Sequence, residues 1–181
     1  MGANELVTLI RDCEAALIPA GTPVNLPAGT QVVITQSLGG SYTIYAGGSL
    51  LRVDGRDADA LGKEAAAAAP GRELTGDGTV QEEQLWEQMR TCYDPEIPIN
   101  IVELGLIYGC QVVPLDGGNR VEVKMTLTAP GCGMGDILKQ DVEHKLRADA
   151  NVTEVQVEMV FDPPWDQSRM SEAARLQAGL L

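Results

Sequence analysis

Between Arg120 and Phe161 the spacing of apolar residues changes twice, and this change limits most strongly what the chain can fold into. Val121, Val123, Met125 and Leu127 alternate with Arg120, Glu122, Lys124 and Thr126, the period of two that a strand with one buried face requires. Met134, Leu138, Val142 and Leu146, joined by Ile137, then recur at helical spacing. Val155, Val157, Met159 and Phe161 return to alternation. A strand, a helix and a strand in succession predict a right-handed parallel crossover. Where the first strand gives way to the helix, the chain reads Thr-Leu-Thr-Ala-Pro-Gly-Cys-Gly-Met-Gly-Asp over residues 126–136. Pro130 and Gly131 break the strand, so Cys132 falls at a strand's carboxyl end, where open α/β sheets gather their chemistry.

Upstream, Thr79 followed by Glu82 has the pattern of a capping box, and Leu85, Met89 and Cys92 follow on a helical stripe with Trp86 beside them, up to Asp94-Pro95. Leu106, Tyr108, Cys110 and Val112 alternate toward a turn at Asp116-Gly117, which predicts a hairpin with the strand of Arg120 to Leu127. The expectation for residues 79–165 is therefore an α/β (α+β) two-layer sandwich in the order α-β-β-α-β, with a small mixed sheet. Cys92 and Cys110 lie on apolar faces and are expected in the core. Asp162-Pro-Pro-Trp165 leaves the last strand at the same end as Cys132, which would let Trp165 roof the thiol. Met170, Ala173, Ala174 and Leu176 predict a helical tail over 166–181 that packs on the domain or on a partner.

The first 62 residues differ in kind. Pro19, Gly21, Pro23, Pro27, Gly29, Gly39, Gly40, Gly47 and Gly48 punctuate short runs of strand formers, Val32 to Thr35 and Tyr42 to Tyr45. A small all-β domain over 1–62 is expected, and residues 63–78, with an alanine run and Pro70, Gly71, Gly76 and Gly78, read as a linker. Asp54, Asp57 and Asp59 lack the glycine and closing glutamate of a calcium loop and read as a solvated turn.

Candidate chemistry centres on Cys132. A helix start carries unpaired N–H groups and partial positive charge and so favours a thiolate, which is a nucleophile or a metal ligand. The competing reading, a small hydrophobe at the core's edge, fits less well with the glycines and proline around it. Pro95 and Pro98 stiffen the loop that carries Asp94, Glu96, Asn100 and Glu103; the three carboxylates suit metal coordination or proton transfer, although Asp94 and Asn100 equally suit turn caps. The sole histidine, His144, is twelve residues along the same helical stretch, about 18 Å away at helical rise, which removes it as a base for the thiol within one chain.

With 26 acidic against 13 basic residues the net charge is −13, which repels phosphate backbones and argues against nucleic acid. Cys13, Cys92, Cys110 and Cys132 include no Cys-x-x-Cys pair, which argues against a zinc ribbon or a self-contained cluster site. No stretch has signal-peptide character or membrane-spanning length, so a soluble cytoplasmic protein with reduced thiols and no membrane partner is expected.

Five segments together carry a family likeness: Asp94-Pro-Glu-Ile-Pro98, Glu103-Leu-Gly-Leu-Ile-Tyr108, Met125-Thr-Leu-Thr-Ala-Pro-Gly-Cys132, Met134-Gly135 and Asp162-Pro-Pro-Trp165. In this order they resemble the iron-sulfur cluster assembly domain family that contains the SufT proteins, the phenylacetyl-CoA oxygenase accessory proteins and the eukaryotic cytosolic iron-sulfur assembly subunits. Ile34-Thr-Gln-Ser-Leu-Gly-Gly40 and Asp57-Ala-Asp-Ala-Leu-Gly62 further resemble the extra N-terminal segment of the SufT members. Glu103 stands where the family usually has Asp, and Gly133 where it often has Pro; the thiol is untouched by either. The resemblance implies a non-enzymatic role in maturing iron-sulfur proteins, with Cys132 as the reactive cysteine and client apo-proteins and other assembly proteins as partners. The motif leaves open a bound cluster, transient iron or client docking; the first hypothesis is that Cys132 ligates iron or an iron-sulfur cluster, transient or shared between subunits, with Asp94, Glu96 or a second subunit's Cys132, while Pro130, Gly131, Gly133, Asn100, Glu103 and Trp165 support the site. Clusters usually take four thiolates, so one exposed cysteine per chain predicts sharing between the subunits of a homodimer, or handover to a client. An adaptor that docks clients through its polar sheet face or tail, and a thiol enzyme, are the competing readings.

Overall fold

The computed structural model describes residues 4–65, 77–94, 96–131 and 133–180. Chain contacts divide it into two compact units, Met1–Ala69 and Pro70–Leu181. The alanine run and most of the expected linker lie outside the described residues.

The first unit is one antiparallel sheet built from β1 (Glu5–Thr8), β2 (Cys13–Leu17), β3 (Pro23–Leu26), β4 (Gln31–Leu38), β5 (Ser41–Ala46) and β6 (Ser49–Val53), in the order β1-β4-β5-β6-β2-β3. Gly39-Gly40 and Gly47-Gly48 link β4 to β5 and β5 to β6, each pair at positive φ, as two-residue hairpin turns require. Val32, Ile34, Ile44, Leu51 and Val53 point inward onto Leu9 and Cys13 and form its core. The aspartates read as a solvated turn are more engaged than that. A 3-10 helix over Gly55–Leu61 starts on the Asp54 carboxylate, which accepts from the Arg56 N–H. Arg11 reaches across to Asp57 Oδ1 at 2.9 Å and to both Asp59 oxygens at 2.6 and 2.7 Å. The Arg11 guanidinium holds the Asp59 carboxyl below its usual value. Its contribution to stability is therefore present above the ordinary carboxylate range and fades as the pH falls through the lowered value.

The second unit has the mixed α/β character expected from the sequence. Its elements are α1 (Glu82–Met89), β7 (Ile107–Leu115), β8 (Gly118–Met125), α2 (Gly135–Leu146), β9 (Val152–Met159) and α3 (Glu172–Gln177). The sheet order is β7-β8-β9, antiparallel between β7 and β8 and parallel between β8 and β9. Leu85 and Met89 of α1 and Leu138, Val142 and Leu146 of α2 bury against Val121, Val123, Met125, Val155 and Val157. Cys92 joins this core fully buried. The opposite face carries Arg120, Glu122, Lys124, Glu154, Gln156 and Glu158 and faces solvent.

Two helix starts differ from the sequence reading. The Thr79 hydroxyl donates to Asp77 Oδ1 at 2.6 Å, so the expected capping box does not form, and α1 starts from Gln81 with no side-chain cap. Helix α2 begins at Gly135, so the helix start that the sequence reading set at Cys132 falls three residues further along the chain. A Cβ on Gly135 would lie 2.8 Å from Leu127 Cδ1, so the first turn of α2 packs closely on the Leu127 side chain, which would have to shift to admit a larger residue.

The tail packs on its own domain. Met170 and Ala174 enter the core, the Ser171 hydroxyl accepts from the Ala174 N–H to cap α3, and the Ser171 N–H donates to the Glu103 carbonyl. Gly105, at φ 70°, lies so close to the tail that a Cβ there would be 2.2 Å from the Arg169 carbonyl oxygen. Gly105→Ala therefore forces a strained backbone and displaces the tail. A loss of about 2 kcal/mol or more is expected in urea denaturation of the full chain. An unchanged midpoint would show that the tail does not dock here.

Candidate functional site

The site is built at the carboxyl ends of β8 and β9. Past β8, Thr126 and Leu127 are buried, and the Thr126 N–H donates to the Leu106 carbonyl at 2.8 Å. Ala129, Pro130, Gly131 and Gly133 are exposed, with Gly131 at φ 80°, and Met134 and Gly135 are buried again. The loop is thus an exposed crest between two buried anchors. Cys132 belongs to this segment by sequence and lies outside the described residues.

Two further segments lock against the same end. The Val160 N–H donates to the Met125 carbonyl at 2.8 Å and ties the exit of β9 to the end of β8. The Tyr108 hydroxyl donates to the Pro163 carbonyl at 2.8 Å, and the Arg169 guanidinium lies 4.3 Å over the Tyr108 ring. Half-buried Trp165 donates its indole N–H to the Leu104 carbonyl at 2.8 Å. Trp165 is therefore a pin between the exit segment and the 103–108 segment. This clamp was missed in the sequence, where only the Asp-Pro-Pro-Trp and Glu-Leu-Gly-Leu-Ile-Tyr segments themselves signalled it.

The acidic loop is ordered by its own side chains. Asp94, 6% exposed, accepts from the Glu96 and Ile97 N–H groups at 2.8 and 2.9 Å through Oδ1. Asn100 Oδ1 accepts from the Glu103 N–H at 2.9 Å, and Tyr93 and Asn100 form an antiparallel bridge. Asp94 and Asn100 thus both cap turns, the second of the two roles the sequence allowed them. Glu96 is exposed, while half-buried Glu103 lies 3.8 Å from the Arg90 guanidinium. Pro95 lies outside the described residues. Among the described residues, which do not include Cys132, no three His, Cys, Asp or Glu side chains gather as a metal site. His144 lies exposed on α2.

The other thiols sit in environments that suppress reactivity. Burial, with the charge of Glu82, pushes half-buried Cys110 up to about 11. Burial and Asp57 also raise Cys13.

A profile of the iron-sulfur cluster assembly protein family matches residues 82–158. An Fe-S protein maturation auxiliary factor of Porphyromonas gingivalis is 42% identical over 100 residues, covering 55% of this chain and 92% of that protein. The Fe-S protein maturation auxiliary factor SufT of Staphylococcus aureus is 37% identical over 87 residues, covering 48% of this chain and 96% of that protein. The crystal structure of a domain of unknown function from Bacillus anthracis superposes with a TM-score of 0.50 at 32% identity, over 55% of this chain and 92% of that one. The chain belongs to the iron-sulfur cluster assembly protein family. The profile match lies wholly within the second unit.

If the exposed crest carries the reactive thiol, brief alkylation of the reduced chain with iodoacetamide at pH 8, followed by peptide mass spectrometry, should modify Cys132 at least tenfold faster than Cys13, Cys92 or Cys110. Labelling of Cys110 should rise only as the pH approaches its raised value. Uniform labelling of all four thiols would contradict this.

Proposed function

We propose that the chain is an iron-sulfur protein maturation factor in which Cys132 takes up iron or a cluster and passes it to client apo-proteins. The observation that carries this reading is the exposed crest of Ala129, Pro130, Gly131 and Gly133 between the buried pairs Thr126-Leu127 and Met134-Gly135. Such a loop presents a thiol to a large partner while its ends stay fixed. The names of the relatives, maturation auxiliary factors, point the same way.

One thiolate cannot hold a cluster by itself, and most clusters take four. The cargo is therefore completed by a second subunit's thiolate or by the client's own cysteines, and weak one-sided ligation is what a transfer factor needs. Exposed Glu96 supplies an oxygen ligand in this reading, and Asp94 and Asn100 hold the loop that presents it. Trp165 and Glu103 support the site from behind. A thiolate-bound cargo needs reduced thiols, which fits a reducing compartment such as the cytoplasm.

In cells lacking the chain, the activity of a [4Fe–4S] enzyme, normalised to the amount of that enzyme, tests the proposal. Wild type should restore activity, Cys132→Ser should leave it at least tenfold lower, and Glu96→Gln should lower it several-fold. Full restoration by Cys132→Ser, at equal expression, would refute the role of the thiol.

A further inference from the structure

The edge of β9 that faces away from β8 offers an interaction surface that is independent of the cysteine loop. Among the described residues strand β9 pairs only with β8 and ends the three-stranded sheet. Because the Val160 N–H is given to Met125, the even-numbered residues of β9 turn their backbone groups to β8. Thr153, Val155, Val157 and Met159 turn theirs to the open side. Unpaired amides and carbonyls in a row are a template for one more strand. A groove runs along this edge, walled by Lys139 and Glu143 of α2 and lined by Val155, Gln156, Val157 and Glu158.

The charges select the occupant. In register, Arg120 faces Glu154, Glu122 faces Gln156 and Lys124 faces Glu158 across β8 and β9. Arg120 reaches Glu122 at 3.0 Å and Glu154 at 3.8 Å. The solvent face therefore alternates basic, acidic, basic on β8 and acidic, neutral, acidic on β9. On the solvent face a strand added beyond β9 meets two carboxylates four residues apart, Glu154 and Glu158, while Lys139 and Glu143 of α2 line the groove. Opposite charges directly across a sheet stabilise the pair, and like charges destabilise it. A second copy of β9 brings only Glu154, Gln156 and Glu158 to this face, on a chain already at −13, so self-pairing is disfavoured.

We infer that the β9 edge receives an extended segment of a partner protein that carries two Lys or Arg residues four positions apart on one face. Its opposite face puts small or apolar side chains between the β9 edge and α2. The carboxylates that keep the edge from pairing with itself are those that recognise the partner.

A synthetic heptapeptide, Val-Lys-Val-Thr-Val-Lys-Val, reads the same in either direction for its charges and serves as the probe against the full chain. Binding should be at least tenfold tighter than that of the same peptide with Glu in place of both Lys. It should slow hydrogen exchange at the Val155 and Val157 amides at least tenfold. N-methylation of alternate peptide amides should abolish both effects, and the double variant Glu154→Lys, Glu158→Lys should prefer the Glu peptide. The inference is overturned if wild type binds both peptides equally, if the N-methylated peptide binds as well as its parent, or if Val155 and Val157 become protected with rising protein concentration and no peptide. The last result would assign the edge to a second copy. None of these readings depends on iron or on Cys132, so failure here leaves the proposed function standing, and the reverse holds too.

Discussion

The second unit depends on the backbone ties at the carboxyl end of its sheet. Leu106 accepts from Thr126, Met125 accepts from Val160, Leu104 accepts from the Trp165 indole and Pro163 accepts from the Tyr108 hydroxyl. Three segments far apart in sequence converge there, and each donates to or receives from another. A loop with this many glycines loses much conformational entropy when ordered. Fixing both of its ends through buried neighbours shortens the stretch that remains to be ordered, and it leaves the crest in solvent, where a partner can reach it.

The ties also separate supporting residues from presenting ones. Trp165 spends its N–H on Leu104, and Asp94 spends Oδ1 on two backbone amides, so both act first as parts of the frame. Glu96 and the crest face outward. In the proposed function this division is useful. A transfer factor has to hold its cargo weakly enough to release it, and a rigid frame under a sparsely ligated crest meets that need better than a preformed cage of ligands.

Local periodicity made much of this legible. Val121, Val123 and Met125 alternate into the core, Leu138, Val142 and Leu146 form the buried stripe of α2, and Asp116-Gly117 marks the hairpin turn. Long-range pairs were not legible. Arg11 finds Asp57 and Asp59 more than forty residues away, and Tyr108 and Trp165 find carbonyls 55 and 61 residues distant. No spacing rule within a window signals such partners. The Thr79 and Glu82 pattern misled for a related reason, because Asp77, two residues earlier, captures the hydroxyl that a capping box would have used. For Asp94 the sequence supported two roles equally, since an Asp-Pro turn both caps itself and displays a carboxylate. Its burial and its two amide donors show the capping role in place. The likeness to iron-sulfur assembly proteins rested on five short segments, and three of them, 103–108, 125–132 and 162–165, meet at this end of the sheet through the ties described above.

The central claim is that Cys132 ligates the cargo. The most direct measurement is iron content after anaerobic incubation of the reduced full chain with ferrous iron and sulfide, followed by desalting, for wild type beside Cys132→Ser. The account predicts iron retained by wild type, with thiolate-to-iron charge-transfer absorption, and lost from the variant. Equal retention by both proteins, or no iron on wild type, would contradict it.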